Sequence, residues 1–138
     1  MKHYETLEHT ADIGIKVKAS SLEELFKKAG LAITELSTEK QKVQYPEKHK
    51  IVIMQKASNA EELFVNWLNE IISSSSAESL VFEDFKINQI TEQLIDAVAI
   101  GSDNRNYKTN IEIKAATYHQ LKVQKINSHW QAEVIFDV

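Results

Sequence analysis

The sequence has no cysteine, which excludes disulfide bonds, thiolate metal sites and cysteine nucleophiles. Any metal ion held by this chain must therefore be bound by oxygen or by histidine nitrogen. Glycine and proline are also scarce, with three and one among 138 residues. Neither a G-x-G-x-x-G nor a P-loop pattern occurs, so the sequence argues against nucleotide binding by the standard glycine-rich loops.

Positive charge and long apolar runs are also in short supply. The 16 lysines and arginines are scattered and outnumbered by 20 acidic residues, so the sequence lacks the basic patch that is typical of direct nucleic-acid binding. The segment Met1–Glu5 lacks the apolar stretch of a secretion signal, and no run is long enough to cross a membrane. We expect a cytoplasmic protein with no membrane partner.

Two helices are predicted from capping signals and apolar periodicity. Ser21 precedes Glu24 by three residues, which is the spacing of a capping box, and an apolar stripe of helical period follows. A second helix is predicted to begin after Ser58 or Asn59 and to end in the run Ser73–Ser76, because serine competes with the helix for backbone hydrogen bonds. The large apolar residues of both helices are interpreted as core: Phe26, Phe64, Trp67 and Leu68.

The rest of the chain has the period-two pattern of strands. Tyr4–Glu8 and Ile13–Ala19 are predicted strands, and Lys50–Lys56 is predicted to be a more buried one. The polar segments Thr38–Lys50 and Gly101–Lys108 are predicted loops, the first with a short edge strand. In the second half, strands are predicted at Val81–Ile90, Leu94–Gly101, Ile111–Ala116, Leu121–Ile126 and Trp130–Phe136.

These elements predict the fold class and the domain organisation. A chain of 138 residues with 43% hydrophobic residues is long enough for one core and too short for two ordinary domains, so residues 1–138 are expected to form one domain. Two amphipathic helices and a strand-rich second half predict an α+β fold. We expect a two-layer α/β sandwich, with both main helices packed on one face of an antiparallel or mixed sheet.

Two acidic residues near the chain ends form the candidate site. Asp12 lies among small residues just before a predicted strand, and Asp137 is one residue from the last position. If the first and last strands are neighbours, these carboxylates and the terminal carboxylate of Val138 converge on an oxygen-rich site that suits a hard divalent cation. Alternatively, Asp12 is a turn residue and Asp137 a solvated tail charge. Spacing alone favours this second interpretation, since lone acids at strand ends are common.

Five motifs at compatible spacings resemble the archease family across essentially the whole chain. They are HTADIG at 9–14, SLEELFKKAGLAI at 21–33, FVNWLNEII at 64–72, IKAATYH at 113–119 and VIFDV at 134–138. The resemblance implies a small α/β protein that is not itself an enzyme. It implies an activator of the RtcB-type RNA ligase in tRNA splicing and other RNA joining, which promotes guanylylation of the ligase and its multiple turnover. It also implies a bound divalent cation, calcium in the family, with manganese or magnesium as alternatives.

The resemblance assigns roles to particular positions. It implies that Asp12, Asp137 and Val138 are the metal ligands, which reverses the preference drawn from spacing alone. Glu70 in the WLNE motif and Lys114 in IKAATYH match further positions needed for ligase activation. From alternation alone, Lys114 is instead an ordinary solvent-facing lysine of a strand.

Three further positions remain open at the level of sequence. His9 precedes Asp12 by three residues and is a candidate for orienting it by a hydrogen bond, with a backbone-bonded strand-end histidine as the alternative. His119 is likewise a candidate for orienting a metal ligand by a hydrogen bond. The alternative for His119 is a structural role, in which its ring packs against Tyr118 as an aromatic pair. Asn66 stands where many archeases have an acid before the helix tryptophan. If the acid of those archeases belongs to the site, the site has one negative charge fewer in this chain. Otherwise the position is only structural.

Two other functions are weighed against ligase activation. A stand-alone metal-dependent hydrolase would use the Asp12 and Asp137 site to activate water, and it requires a deep pocket beside these acids. The sequence lacks the histidine-rich or multi-carboxylate cluster typical of such enzymes. A general chaperone of RNA- or DNA-modifying proteins is the third possibility.

Overall fold

The computed structural model describes residues 2–7 and 12–138, which form two long helices, one short 3-10 helix and ten strands. The helices are α1 (Leu22–Ser37) and α2 (Ala60–Glu78), and the 3-10 turn covers Asn104–Asn106. The strands are β1 (Glu5–Leu7), β2 (Ile13–Ala19), β3 (Thr38–Lys40), β4 (Lys48–Lys56), β5 (Leu80–Ile90), β6 (Leu94–Asp103), β7 (Tyr107–Thr109), β8 (Ala115–Ala116), β9 (Lys122–Ile126) and β10 (His129–Asp137). None of the helices in these described residues is both long and apolar enough to cross a bilayer.

Side chains at the predicted positions cap the starts of both helices. The Ser21 hydroxyl accepts a hydrogen bond from the backbone N–H of Glu24, 3.1 Å away, as the capping-box spacing predicts. The Glu24 carboxylate does not complete the box, because it accepts from the Ser20 hydroxyl instead. Asn59 caps α2 by accepting from the Glu62 N–H at 2.9 Å. Both helix starts are therefore fixed by local sequence.

The strands form three antiparallel sheets. A five-stranded sheet has the order β1-β2-β10-β8, with β9 also paired to β10. A three-stranded sheet has the order β4-β6-β5, and β3 pairs with β7 in a separate ribbon. Both helices contact strands of both larger sheets, so the helix pair packs against both sheets. The predicted α+β class with helices packed on antiparallel sheet faces is confirmed, but the pattern did not reveal that the strands divide between sheets.

The core lies around the two helices, and the four predicted core residues of the helices are all fully buried. Phe26 and Phe64 meet edge to face with ring centroids 5.2 Å apart, and Trp67 meets Phe85 of β5 in the same way at 5.3 Å. The indole N–H of Trp67 donates to the carbonyl of Phe26 at 2.9 Å, so the ring is buried with its polar atom satisfied. These aromatic contacts join both helices to β5.

The serine run does not end α2, contrary to the prediction. The helix continues through Ser73–Ser76 to Glu78 and ends at Ser79, which adopts a left-handed conformation with φ of 55°. The serine hydroxyls find partners that are compatible with the helix: Ser74 donates to the Glu70 carboxylate, and Ser75 donates to the carbonyl of Leu80 beyond the helix end. The serine side chains therefore do not disrupt the backbone hydrogen bonds of the helix, which the prediction expected them to do.

Two of the predicted strands are also wrong in extent or burial. Only Ala115–Ala116 is strand within the predicted Ile111–Ala116, because the N–H groups of Asn110 and Ile111 donate to the carbonyl of Ser37 at the end of α1. Strand β4 is not the more buried strand predicted for Lys50–Lys56. It lies at the edge of its sheet, where Ile53 alone is fully buried.

Candidate functional site

Strands β2 and β10, from opposite ends of the chain, pair along their whole length. Their antiparallel register runs from Trp130 opposite Ala19 to Phe136 opposite Ile13. Continued by one residue, the same register sets Asp137 opposite Asp12, at the point where both strands end. Side chains directly opposite in an antiparallel pair have Cβ atoms about 5 Å apart. The fold therefore brings the two candidate carboxylates to the same end of one strand pair.

Asp137 lies on the face of the sheet that points away from the helices. Along β10, Val134 and Phe136 are buried against the helices, so alternation turns Asp137 to the opposite face. Asp137 is exposed and Asp12 is half-buried. Neither carboxylate forms an ion pair within residues 2–7 and 12–138. Their negative charges are thus available to a cation.

Strand β8 adds Lys114 to this end of the sheet through the backbone. Ala115 pairs with Asp137, and the N–H of Lys114 donates to the Asp137 carbonyl at 2.9 Å. Continued by one residue, this register sets Lys114 opposite Val138. The Lys114 side chain is exposed, as alternation predicted.

An amide side chain on α2 holds β8 in place. The N–H of Ala116 donates to Asn69 Oδ1 at 2.7 Å, and Asn69 Nδ2 donates to the Ala116 carbonyl at 3.2 Å. The amide thus occupies the free edge of β8 much as another strand would, since it offers one acceptor and one donor. Asn69 is the residue that sequence reasoning missed. The available signal was a polar amide between Leu68 and Ile71, which are both fully buried.

The remaining predicted residues are less directly joined to the two aspartates. Glu70 is half-buried and accepts from the Ser74 hydroxyl at 3.1 Å, one turn further along α2. His119 is exposed and Tyr118 is 59% exposed, so the packed aromatic pair proposed for them is wrong. His9 lies outside the described residues. Among the residues that the structure describes, the contacts link Glu70 to the candidate site through its neighbour Asn69 and through β8.

The donor set at the strand ends fits a hard cation with few protein ligands. Two carboxylates and the main-chain carbonyl oxygen of Val138 are oxygen donors of the kind that calcium, magnesium and manganese prefer. Within the described part of the chain there is no group of three or more histidine, aspartate or glutamate side chains that could hold a metal ion. A site built here is consequently open, with several positions left for water or for atoms of a partner.

A groove of about 830 Å³ lies on the helix side of β8 and does not include either aspartate. Its lining includes Asn69, Ser73, Lys114 and Ala115. The hydrolase hypothesis required a deep pocket beside the two acids, and this groove does not provide one.

Comparison with known proteins agrees with this architecture along the whole chain. The sequence model of the archease protein family matches residues 4–138. The chain belongs to the archease family. Two relatives named protein archease, from Methanosarcina barkeri and Pyrococcus abyssi, are each 33% identical to it. The alignments cover 99% of this chain and 97% of the first relative, and 100% of both for the second.

Two solved structures share the archease fold with this chain. The solution structure of protein 1598 from Methanobacterium thermoautotrophicum superposes with a TM-score of 0.75 at 27% identity and covers 100% of both chains. The crystal structure of an archease from Thermotoga maritima, described as a possible chaperone, superposes with a TM-score of 0.67. At 24% identity over 97% of this chain and 96% of that one, this second match concerns the fold alone. The family resemblance inferred from the five motifs is confirmed.

Proposed function

We propose that this archease-family protein is an accessory protein that activates an RtcB-type RNA ligase by promoting its guanylylation and multiple turnover. In this proposal the end of the β2–β10 pair, with Asp12, Asp137 and the main-chain carbonyl oxygen of Val138, binds a divalent cation and presents it to the ligase. The observation that supports the proposal is the β2–β10 register, because its last pair, Phe136 opposite Ile13, joins the chain neighbours of the two acids.

The chemistry of nucleotidyl transfer is compatible with help from a second protein. Such transfer depends mainly on positioning and on neutralising negative charge, both of which can be supplied in trans. A bound divalent cation would supply the positive charge. Asp12 and Asp137 would hold it, β8 would fix the main chain at Asp137, and Asn69 would fix β8. Glu70 and Lys114, on the neighbouring elements, are proposed to contact the ligase and its nucleotide.

A guanylylation assay with the matching ligase tests this proposal. The variants Asp12→Asn and Asp137→Asn remove one charge each at nearly constant volume, and each is expected to lower the stimulated rate at least about tenfold, the scale of losing a metal-site group. Glu92→Gln is the control, since Glu92 is exposed and lies in the turn between β5 and β6. Equal stimulation by the wild type and both site variants would remove the acidic strand end from the mechanism.

The chaperone role named for the Thermotoga structure makes a different prediction in the same experiment. A chaperone would raise the yield of folded ligase and leave the guanylylation rate of already folded ligase unchanged. Ligase that is purified and folded before the archease-family protein is added therefore separates the two functions.

A further inference from the structure

Strand β4 is a nine-residue edge strand whose exposed face is aliphatic and basic. It forms one side of the order β4-β6-β5, and in the described residues no strand pairs with its other edge. Val52 is 70% exposed and Met54 is 53% exposed, although both lie in the middle of the strand. An edge strand with exposed apolar residues is a template for pairing with another chain.

The charge of β4 differs in sign from that of the whole protein. Its sequence KHKIVIMQK contains three lysines, one histidine and no acid, whereas the whole chain has a net charge of -4. Lys48 pairs with Glu83, but Lys50 and Lys56 form no ion pair with any described residue. The exposed face therefore reads Lys50, Val52, Met54, Lys56 at alternate positions, with a basic residue at each end and two apolar residues between.

The neighbouring strand continues this surface. Val52 lies opposite Val98 and Lys50 lies opposite Ile100, both half-buried. Met54 lies opposite Asp96, the one acidic residue in the four cross-strand pairs from Lys50 to Lys56. The aliphatic centre thus extends over two strands, while the excess positive charge stays on β4.

We propose that β4 binds an extended segment of a partner protein by strand addition, and that this segment carries acidic and aliphatic residues. Added strands gain affinity from main-chain hydrogen bonds and specificity from alternate side chains. The pattern on β4 is symmetric, so the matching segment has an acid at its first and seventh positions and aliphatic residues at its third and fifth, whichever way it runs.

Charge and chemistry favour an acidic, aliphatic peptide segment on β4 over two other occupants, a second copy of this chain and single-stranded RNA. A second copy in antiparallel pairing, with Val52 opposite Met54, would set Lys50 opposite Lys56, and like charges directly opposite are destabilising. Single-stranded RNA would need aromatic side chains for base stacking, and none of the residues in the four cross-strand pairs is aromatic. This inference is independent of the acidic strand end, which lies in the other large sheet.

A peptide titration followed by amide chemical shifts tests the proposal on the intact protein. The probe is the synthetic peptide Ser-Thr-Glu-Thr-Val-Thr-Ile-Thr-Glu-Thr-Ser, and the comparison peptide has lysine in place of both glutamates. At low ionic strength we expect the acidic peptide to bind about tenfold more tightly, with the largest shifts on β4. Val52→Thr together with Met54→Thr, which removes the apolar side chains and places a β-branched strand former at both exposed positions, should weaken it about fivefold.

Charge reversal makes the test independent of absolute affinity. In the variant Lys50→Glu with Lys56→Glu the preference should invert, so that the lysine peptide binds more tightly than the acidic one. The matched control reverses two exposed lysines elsewhere, Lys42→Glu with Lys108→Glu, and should keep the original preference.

Three results would overturn the proposal. One is an unchanged peptide preference after charge reversal on β4, and another is an absence of binding by the acidic peptide at millimolar concentration. The third is tighter binding of a single-stranded RNA of 11 nucleotides to the same strand, which would assign this surface to nucleic acid.

Discussion

Glu83 shows how one side chain connects two sheets of this fold. The register of β5 against β6 shifts between Phe82 and Asp84, and this bulge leaves Glu83 out of the ladder. Its carboxylate accepts hydrogen bonds from the Lys48 ammonium and the Tyr107 hydroxyl, and it lies 3.5 Å from Lys40 Nζ. The bulge thus ties the β3–β7 ribbon to the three-stranded sheet.

The surroundings of Glu83 change its protonation equilibrium. Burial alone would raise the pKa of Glu83, but the hydrogen bonds from Lys48 and Tyr107 and the charges of Lys48 and Lys40 outweigh burial and lower it below its ordinary value of 4.5. Burial and the neighbouring carboxylate raise the pKa of Tyr107. Because the pKa of Glu83 is lower in the folded state, the ionised carboxylate stabilises the fold above its unfolded pKa, and this contribution is lost as the pH falls through the folded value.

We expect Glu83→Gln to lower the free energy of unfolding at pH 7 by about 1 kcal/mol, a value that allows for solvent screening of the exposed lysines. The variant should also lose part of the dependence of stability on pH below about 4.5. Urea unfolding at pH 7 and pH 3.5 measures both effects, with the exposed Glu92→Gln as control. The same difference in unfolding free energy between wild type and Glu83→Gln at both pH values would contradict the role assigned to this carboxylate.

At the scale of elements, local signals predicted helix starts better than helix ends. The caps at Ser21 and Asn59 depend on residues three positions apart, so the sequence contains them. The end of α2 depends on Ser75 bonding to Leu80 and on a left-handed Ser79, which a count of serines does not reveal. The exposure of β4 was missed because alternation gives two faces to a strand but does not say which sheet, or which edge, it joins.

Asn69 is the clearest prediction at this scale. Asn69→Ala removes both hydrogen bonds to Ala116, and leaving those backbone groups unpaired should cost about 1–3 kcal/mol. We expect faster amide hydrogen exchange at Ala116 and weaker cation binding at the strand end that β8 supports. Asn66→Ala is the matched control on the same helix, since the side chain of Asn66 donates to the Lys56 carbonyl at 3.5 Å and makes no hydrogen bond to β8. Unchanged exchange at Ala116 would show that the amide does not hold β8.

At the scale of the whole molecule, the pairing of the chain ends creates the candidate site. The sequence indicated that Ile13–Ala19 and Trp130–Phe136 are strands, but nothing local states that residues more than 110 positions apart are neighbours. That conclusion needed either the family resemblance or the structure. Glu70 and Lys114 illustrate the limit in the other direction. The motifs point to both, but the contacts join Lys114 to Asp137 by one backbone hydrogen bond and join Glu70 to this end of the sheet through its neighbour Asn69 and β8.

Two surfaces of the molecule differ in chemistry. The strand end at Asp12 and Asp137 is acidic and lies in the five-stranded sheet, while the exposed face of β4 is basic and aliphatic and lies in the three-stranded sheet. As proposed, the acidic strand end contacts the active site of the ligase and the exposed face of β4 contacts a partner segment. Substitutions on one surface should leave the function of the other unchanged.

A double-mutant cycle on calcium affinity tests whether Asp12 and Asp137 bind the same ion, with calorimetry on the wild type, Asp12→Asn, Asp137→Asn and the double variant. If both carboxylates share one ion, each single substitution should weaken binding about tenfold or more, and the double variant should lose much less than the product of the two single losses. Wild-type affinity in either single variant, or fully independent losses in the double variant, would contradict a shared site at the paired chain ends.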